Sequence, residues 1–206
     1  MCGRFSLTVE GNDLVTYFHI RHGHSNYQSN YNIAPSQRIS VITGPYDQRR
    51  LSLMRWGLIP SWAKAPAFGY KMFNARTETI DQKPSFRNAF FRRRCLIPAD
   101  SFYEWRQKGE PPFRIYLPDK PLFVLAGIWE LWQPRDDEAV LSCSMITTKP
   151  NAFMEEIHNR MPVILGDEES MIAWLEGTKL NDLKELLVPY SGQMAAEPYP
   201  LHVKKS

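Results

Sequence analysis

The second residue of the chain carries its most unusual chemistry. The chain opens Met1-Cys2-Gly3-Arg4-Phe5, and an initiator methionine is normally removed when the next side chain is as small as cysteine. Cys2 then becomes the first residue, with an α-amine and a thiol on adjacent carbons. The amine titrates near pKa ~8, against ~10.4 for lysine, so far more of it is neutral and nucleophilic at pH 7. The thiol, near ~8.5, is a strong nucleophile in its own right. An aldehyde meeting this pair condenses with the amine to an imine. The thiol then closes on the imine carbon to give a five-membered thiazolidine. No internal cysteine can do this. A free cysteine taken alone is more often a small hydrophobe, so the reading depends on residues further along the chain.

Glu104 stands between Tyr103 and Trp105, where a carboxylate would be partly dehydrated. Burial raises a carboxyl pKa and makes a candidate general acid. Strand alternation equally allows the side chain to face outward. His158 falls in Ile157-His158-Asn159-Arg160-Met161-Pro162, at an element end before a proline-stopped segment. Histidine gives and takes protons near pH 7, although a lone histidine is more often structural. Asn74 and Arg76 alternate about Ala75 and point the same way if extended. Trp56 and Trp62 flank Gly57 and Pro60 in a loop. Loop aromatics stack bases of single-stranded nucleic acid, at ~1–3 kcal/mol per base. Trp56 is expected in the core, and Trp62 is balanced between core anchor and base platform. Residues 86–94 combine aromatics with Arg87, Arg92, Arg93 and Arg94, which could neutralise phosphates, though a solvated face more commonly explains an arginine run. His19, His22 and His24 could bind a metal, but no carboxylate or cysteine completes the set, and a solvated loop is the expectation.

The scaffold has 206 residues, 43% of them hydrophobic, which suits one sizeable core and one domain spanning 1–206. No run is long enough to span a bilayer, and Arg4 with the polar stretch 8–13 breaks any signal-peptide pattern. Three widely spaced cysteines, Cys2, Cys95 and Cys143, suggest neither a zinc site nor a disulfide framework, so a reducing cytosol fits. A net charge of +3 permits an anionic partner without demanding one.

A short helix is expected within residues 8–20, capped at Thr8 or Asn12, with Leu14, Val15 and Phe18 on one face. Residues 31–37 read as an irregular segment set by Pro35. Strands are expected at 38–43 and 51–56 around the turn Gly44-Pro45-Tyr46-Asp47, and at 94–98 and 101–105. The turn 107–110 then leads to a hairpin strand at 113–117. Apolar strands come next at 122–129 and 139–147, across a charged loop at 135–138, with Cys143 in the core. Asn151 caps a helix at 152–157, and helices with acid-rich starts at 167–176 and 181–187 close the chain. No dinucleotide, Walker or nucleophile-elbow signature is present.

MCGRF, YNIAPSQ, RWGLIPSWAK, NARTET, RCLIPADSFYEW, AGIWE and IHNRMPVIL occur in this order across residues 1–165. The ordered set resembles the SRAP (SOS response-associated peptidase) family, whose members shield abasic sites in single-stranded DNA by crosslinking to them. The resemblance implies an α+β fold, a single β-rich domain of mainly antiparallel strands with short peripheral helices and a positive DNA groove. It implies that Cys2 forms a thiazolidine with the ring-opened aldehyde of an abasic deoxyribose. By motif position Asn74 orients Cys2 or the sugar, Glu104 is the acid–base group, and His158 is its partner in proton transfer. Arg4, Arg76 and Arg160 are implied phosphate ligands, with Trp62 in the loop that meets bases. The expected partner is single-stranded DNA carrying abasic sites, bound by a cytoplasmic monomer away from membranes, with no metal or organic cofactor. An accompanying lyase reaction stays open. Two positions depart from the family pattern. Ser101 stands where glycine is common, a tolerable change because serine is small. The chain also stops at Lys204-Lys205-Ser206, where many members continue with a polar segment, which bears on affinity more than chemistry.

Two other readings stand beside this one. A cysteine peptidase would use Cys2, His158 and Asn74 as nucleophile, base and orienter, but has no need of the second position. A non-covalent single-strand binding module would use only the arginines and tryptophans, leaving Cys2, Glu104 and His158 unexplained.

Overall fold

The computed structural model describes residues 2–23, 27–107, 109–134 and 138–201. Met1, His24, Lys108, Arg135 to Asp137 and the C-terminal Lys204-Lys205-Ser206 lie outside the described residues. Along the chain, β1 (Phe5–Leu7) leads through α1 (Gly11–Tyr17) to β2 (Asn30–Ile33), β3 (Arg38–Thr43) and β4 (Arg50–Trp56). After a long loop come β5 (Asn74–Arg76), α2 (Arg87–Arg92), β6 (Arg94–Ala99), β7 (Ser101–Glu104) and β8 (Phe113–Tyr116). The long strands β9 (Phe123–Trp132) and β10 (Val140–Thr148) precede α3 (Ala152–Glu155), β11 (Met161–Pro162), β12 (Ile164–Leu165), α4 (Glu168–Glu176), α5 (Leu180–Glu185) and β13 (Ala195–Pro198).

The strands form two sheets. In the larger, β10, β4, β3, β6 and β9 close into a barrel, because β9 pairs with β10 as well as β6. Its pairings are antiparallel except β10 with β4 and with β5. The smaller sheet, in the order β13-β8-β7-β1-β2, is antiparallel throughout. The fold is therefore β-rich with short helices at its edges, as the motifs imply. The near-continuous apolar sequence of β9 reflects its place: flanked on both edges and covered on both faces, it offers little room for polar side chains. One core cluster draws on both sheets, with Phe5 and Phe102 from the smaller and Trp56, Leu96 and Met145 from the larger. Trp174 of α4 is fully buried and donates its indole N–H to Cys95 O.

The structure revises several local expectations. Glu10, not Thr8 or Asn12, precedes α1, and no side chain caps it. Thr8 instead spends its backbone N–H and hydroxyl on Asp100. The segment expected to be irregular contains β2, and the chain turns only afterwards, where Ser36 adopts φ 72°. Arg87 to Arg92 form a helix, and the last helix starts at Leu180. The Asn151 cap is present, its side chain accepting from Met154 N. Among the described residues no helix is long and apolar enough to cross a membrane.

Candidate active site

The residues leading into β1 end beside β5. Cys2 is fully buried, and its carbonyl accepts a hydrogen bond from Asn74 Nδ2 at 2.8 Å. Asn74 reaches it because β5 runs parallel to β10, with Asn74 opposite Met145. The other amide atom, Asn74 Oδ1, is buried and has no hydrogen-bond partner among the described residues. It remains available to a donor brought by a substrate. The Cys2 Sγ lies 3.7 Å from Arg4 O. Burial, then the nearby Glu104 charge, push the thiol well above its ordinary pKa, so it is held protonated.

Glu104 ends β7 and faces inward, 2% exposed. Phe102 and Glu104 share the inner face, which decides the choice that alternation left open. Burial raises the carboxyl to about 7, against the pull of the positive chain terminus. His158 Nε2 lies 3.9 Å from Glu104 Oε2. The backbone N–H of Arg160 donates to His158 Nδ1 at 3.0 Å. Nδ1 also lies 3.2 Å from Arg160 O, so either ring nitrogen can carry the proton of the neutral ring, and Nε2 is the nitrogen that faces Glu104. Burial, together with the positive chain terminus, lowers the His158 pKa, which keeps the ring neutral at pH 7. Residues 2, 74, 104 and 158 thus converge on one place.

The cations divide. Arg4 Nη1 donates to Asn32 Oδ1 at 2.7 Å, which leaves its charge uncompensated by that contact. Arg76 is exposed, next but one to Asn74. Arg160 is different: its guanidinium grips Glu78 through two nitrogens and reaches Thr147 O at 2.6 Å. Any phosphate contact by Arg160 must compete with that carboxylate. Of the four arginines at 87–94, Arg94 clamps the carbonyls of Phe90, Phe91, Trp174 and Gly177, and Arg93 pairs with Glu130. Those two are structural. Arg87 and Arg92 remain exposed and line one groove with Trp62 and Phe91.

The two loop tryptophans also divide. Trp56 is fully buried, its indole N–H on Phe73 O and its ring centre 5.2 Å from that of Phe5 in an edge-to-face contact. Trp62 is 55% exposed and packs edge-on against Phe68 at 5.1 Å. The arm that carries it closes at its base, where Leu58 N donates to Met72 O. There Gly57, at φ 140°, approaches Gly69 so closely that a Cβ on it would sit 2.6 Å from Gly69 O. Any side chain at Gly57 would be strained as well as crowded. His19 packs at a tilt against Tyr46, and the backbone of His22 bridges to that of Arg50. Among the described residues no group of three potential metal ligands is found.

Sequence reasoning missed Asp100. This buried carboxylate accepts from Ser6 Oγ, Thr8 N and Thr8 Oγ1. Ser101 Oγ joins the same network through Ser6 and accepts from Arg114 Nε at 3.2 Å. The departure from glycine at Ser101 is therefore used as well as tolerated, and it was the available signal. The network pins β1, which leads to Cys2, against β7, which ends at Glu104.

Fold and site together define a β-barrel protein that sets a buried carboxyl and a partly buried imidazole beside a cysteine at the chain's start. The chain belongs to the SRAP family, SOS response associated peptidase, whose description it matches over residues 1–206. It is 47% identical over 197 residues to the Abasic site processing protein YoqW of Bacillus subtilis (strain 168), across 92% of this chain and 88% of that protein. It is 32% identical over 221 residues to the Abasic site processing protein HMCES of Xenopus tropicalis, across 85% of this chain and 66% of that one. A crystal structure of a protein from Bacteroides thetaiotaomicron superposes with a TM-score of 0.87 at 28% identity, covering 96% of this chain and 91% of that one.

Proposed function

We propose that this chain, acting as a single-domain monomer, processes abasic sites in single-stranded DNA by linking Cys2 covalently to the opened sugar. Relatives named abasic site processing proteins support the substrate. The observation that carries the chemistry is Glu104, a buried carboxyl that titrates near neutrality beside Cys2 and a neutral His158. With Met1 removed, the Cys2 amine attacks the aldehyde carbon. Glu104 protonates the departing hydroxyl, water leaves, and an imine remains. The thiol S–H then adds across the C=N bond, sulfur to carbon and proton to nitrogen, giving the thiazolidine. His158 exchanges protons with Glu104, and Asn74 holds the Cys2 carbonyl while its free Oδ1 takes a sugar hydroxyl. Arg4, Arg76 and Arg160 hold phosphates, and Trp62 stacks a flanking base. The imine also permits β-elimination of the sugar's 3′ phosphate, a lyase side reaction. A thiolate-based peptidase fits less well, because a buried thiol pushed up in pKa is a poor nucleophile at pH 7.

Intact mass spectrometry after mixing with an oligonucleotide bearing one abasic site tests this. The expected species is protein plus oligonucleotide less one water, stable to heat and denaturant. A complex that forms but dissociates in salt would favour a non-covalent binding module. Cys2→Ser is expected to lose the stable adduct yet give an imine that borohydride traps, since the amine remains.

A further inference from the structure

Arg38 and Arg55 stand directly opposite each other across β3 and β4. Like charges at opposed positions repel, so such a pair weakens the sheet that contains it. Neither forms an ion pair with a carboxylate among the described residues. Arg55 lies with its guanidinium carbon 4.6 Å from the centre of the Tyr70 ring, a ring that is 59% exposed. Its Nε is buried and lacks a hydrogen-bond partner. Arg38 is exposed. A sheet that keeps an uncompensated like-charge pair is breaking a local rule, and such breaks concentrate at functional sites.

The location gives the break a meaning. Arg55 immediately precedes Trp56, which is paired to the chain just before Arg38 by Trp56 N to Gln37 O and Ser36 N to Trp56 O. Trp56 in turn touches Phe5 and bonds to Phe73, the neighbour of Asn74. Tyr70 belongs to the same arm as Trp62. The two arginines therefore lie one residue outside the frame that holds Cys2 and Asn74. Their charge is open to a ligand, whereas that of Arg160 is answered by Glu78.

We propose that Arg38 and Arg55, with Tyr70 steadying Arg55, form an additional phosphate subsite for the DNA strand engaged at Cys2. Guanidinium groups match phosphate oxygens two at a time, and stacking on Tyr70 fixes Arg55 before the ligand arrives. A bound phosphate removes the repulsion between the pair. The inference rests on the reading of this chain as a single-stranded DNA-binding protein.

The test measures binding of a single-stranded oligonucleotide without abasic sites to the full chain over a range of potassium chloride concentrations. Arg38→Gln and Arg55→Gln are each expected to flatten the log–log salt dependence by about 0.7, the share of one phosphate on a single strand. With an abasic oligonucleotide, half-saturation should move to higher concentration while the maximal crosslinking rate stays put. Melting temperature should be unchanged or higher in Arg38→Gln, since one repelling charge is gone. If loss of the Tyr70 contact unfolds Arg55→Gln, Arg38→Gln decides. Arg38→Gln with the parent's salt slope and half-saturation overturns the subsite while leaving the crosslinking reading intact. A parent that shows no salt-dependent binding overturns the underlying reading, and the subsite with it.

Discussion

The buried Glu104 carboxyl makes two pH-dependent demands on the molecule. The proposed crosslinking needs a neutral Cys2 amine, favoured as pH rises, and a protonated Glu104, lost as pH passes about 7. The rate is expected to peak near neutrality and to fall on the alkaline side with an apparent pKa near that value. Glu104→Gln should abolish this alkaline fall and lower the peak rate by about 10²–10⁴-fold, the usual share of a general acid. Stability carries the same signature with a definite sign. The folded-state pKa is raised from 4.5 to about 7, so across that window the folded chain holds a proton that the unfolded chain has released. Stability therefore falls as pH rises through the window, by on the order of 3 kcal/mol. Urea unfolding should find Glu104→Gln close to the parent at pH 5 and more stable at pH 8.5. Equal stability at pH 8.5 would contradict an inward, desolvated carboxyl. The residue types were legible in the sequence, but the direction Glu104 faces was not, because alternation admits both faces and only the tertiary packing that buries Glu104 beside His158 settles it.

Among the elements, β1 bears the heaviest demand. Chain ends normally fray, yet the residues leading into this three-residue strand must hold Cys2 against Asn74. The Asp100 network supplies the restraint. Asp100→Ala is expected to cost about 3 kcal/mol, since hydrogen bonds to a charged group contribute roughly 1.5–3 kcal/mol each and are not additive. Denaturant unfolding checks this, and amide exchange of residues 4–7 should speed up beyond the global change. Arg160 has a structural role through Glu78 and Thr147 beside its proposed phosphate contact. Arg160→Ala is expected to weaken oligonucleotide binding and also to destabilise the fold, because Thr147 O and Glu78 lose their partner. Arg76→Ala, on an exposed side chain, should weaken binding with little change in melting temperature. The long elements β3, β4, β9 and β10 could be read from apolar runs and turn residues. The short strands β1, β2 and β13 could not: three or four residues have no periodicity of their own and owe their conformation to the strands they pair with. Thr8 misled as a helix cap for a related reason, since its best acceptor is Asp100, far away in sequence.

For the molecule as a whole, the fold class was legible in the ordered motifs, whereas the barrel closure depends on pairings no local pattern reveals. The barrel and the smaller sheet matter because they bring the chain's beginning into a dry site with a carboxyl, an imidazole and an amide, while an aromatic arm and open arginines stand outside. The central claim is that the α-amine of Cys2, rather than its thiol alone, performs the first bond-forming step. One measurement addresses it most directly: intact mass spectrometry of a variant with one non-removable residue inserted between Met1 and Cys2, before and after incubation with an abasic oligonucleotide. The insertion turns the amine into an amide whose lone pair is delocalised, and leaves the thiol in place. The prediction is an intact, folded protein that still binds single-stranded DNA in a salt-dependent way and forms no heat-stable adduct. A stable adduct at the full rate with the insertion still attached would contradict it.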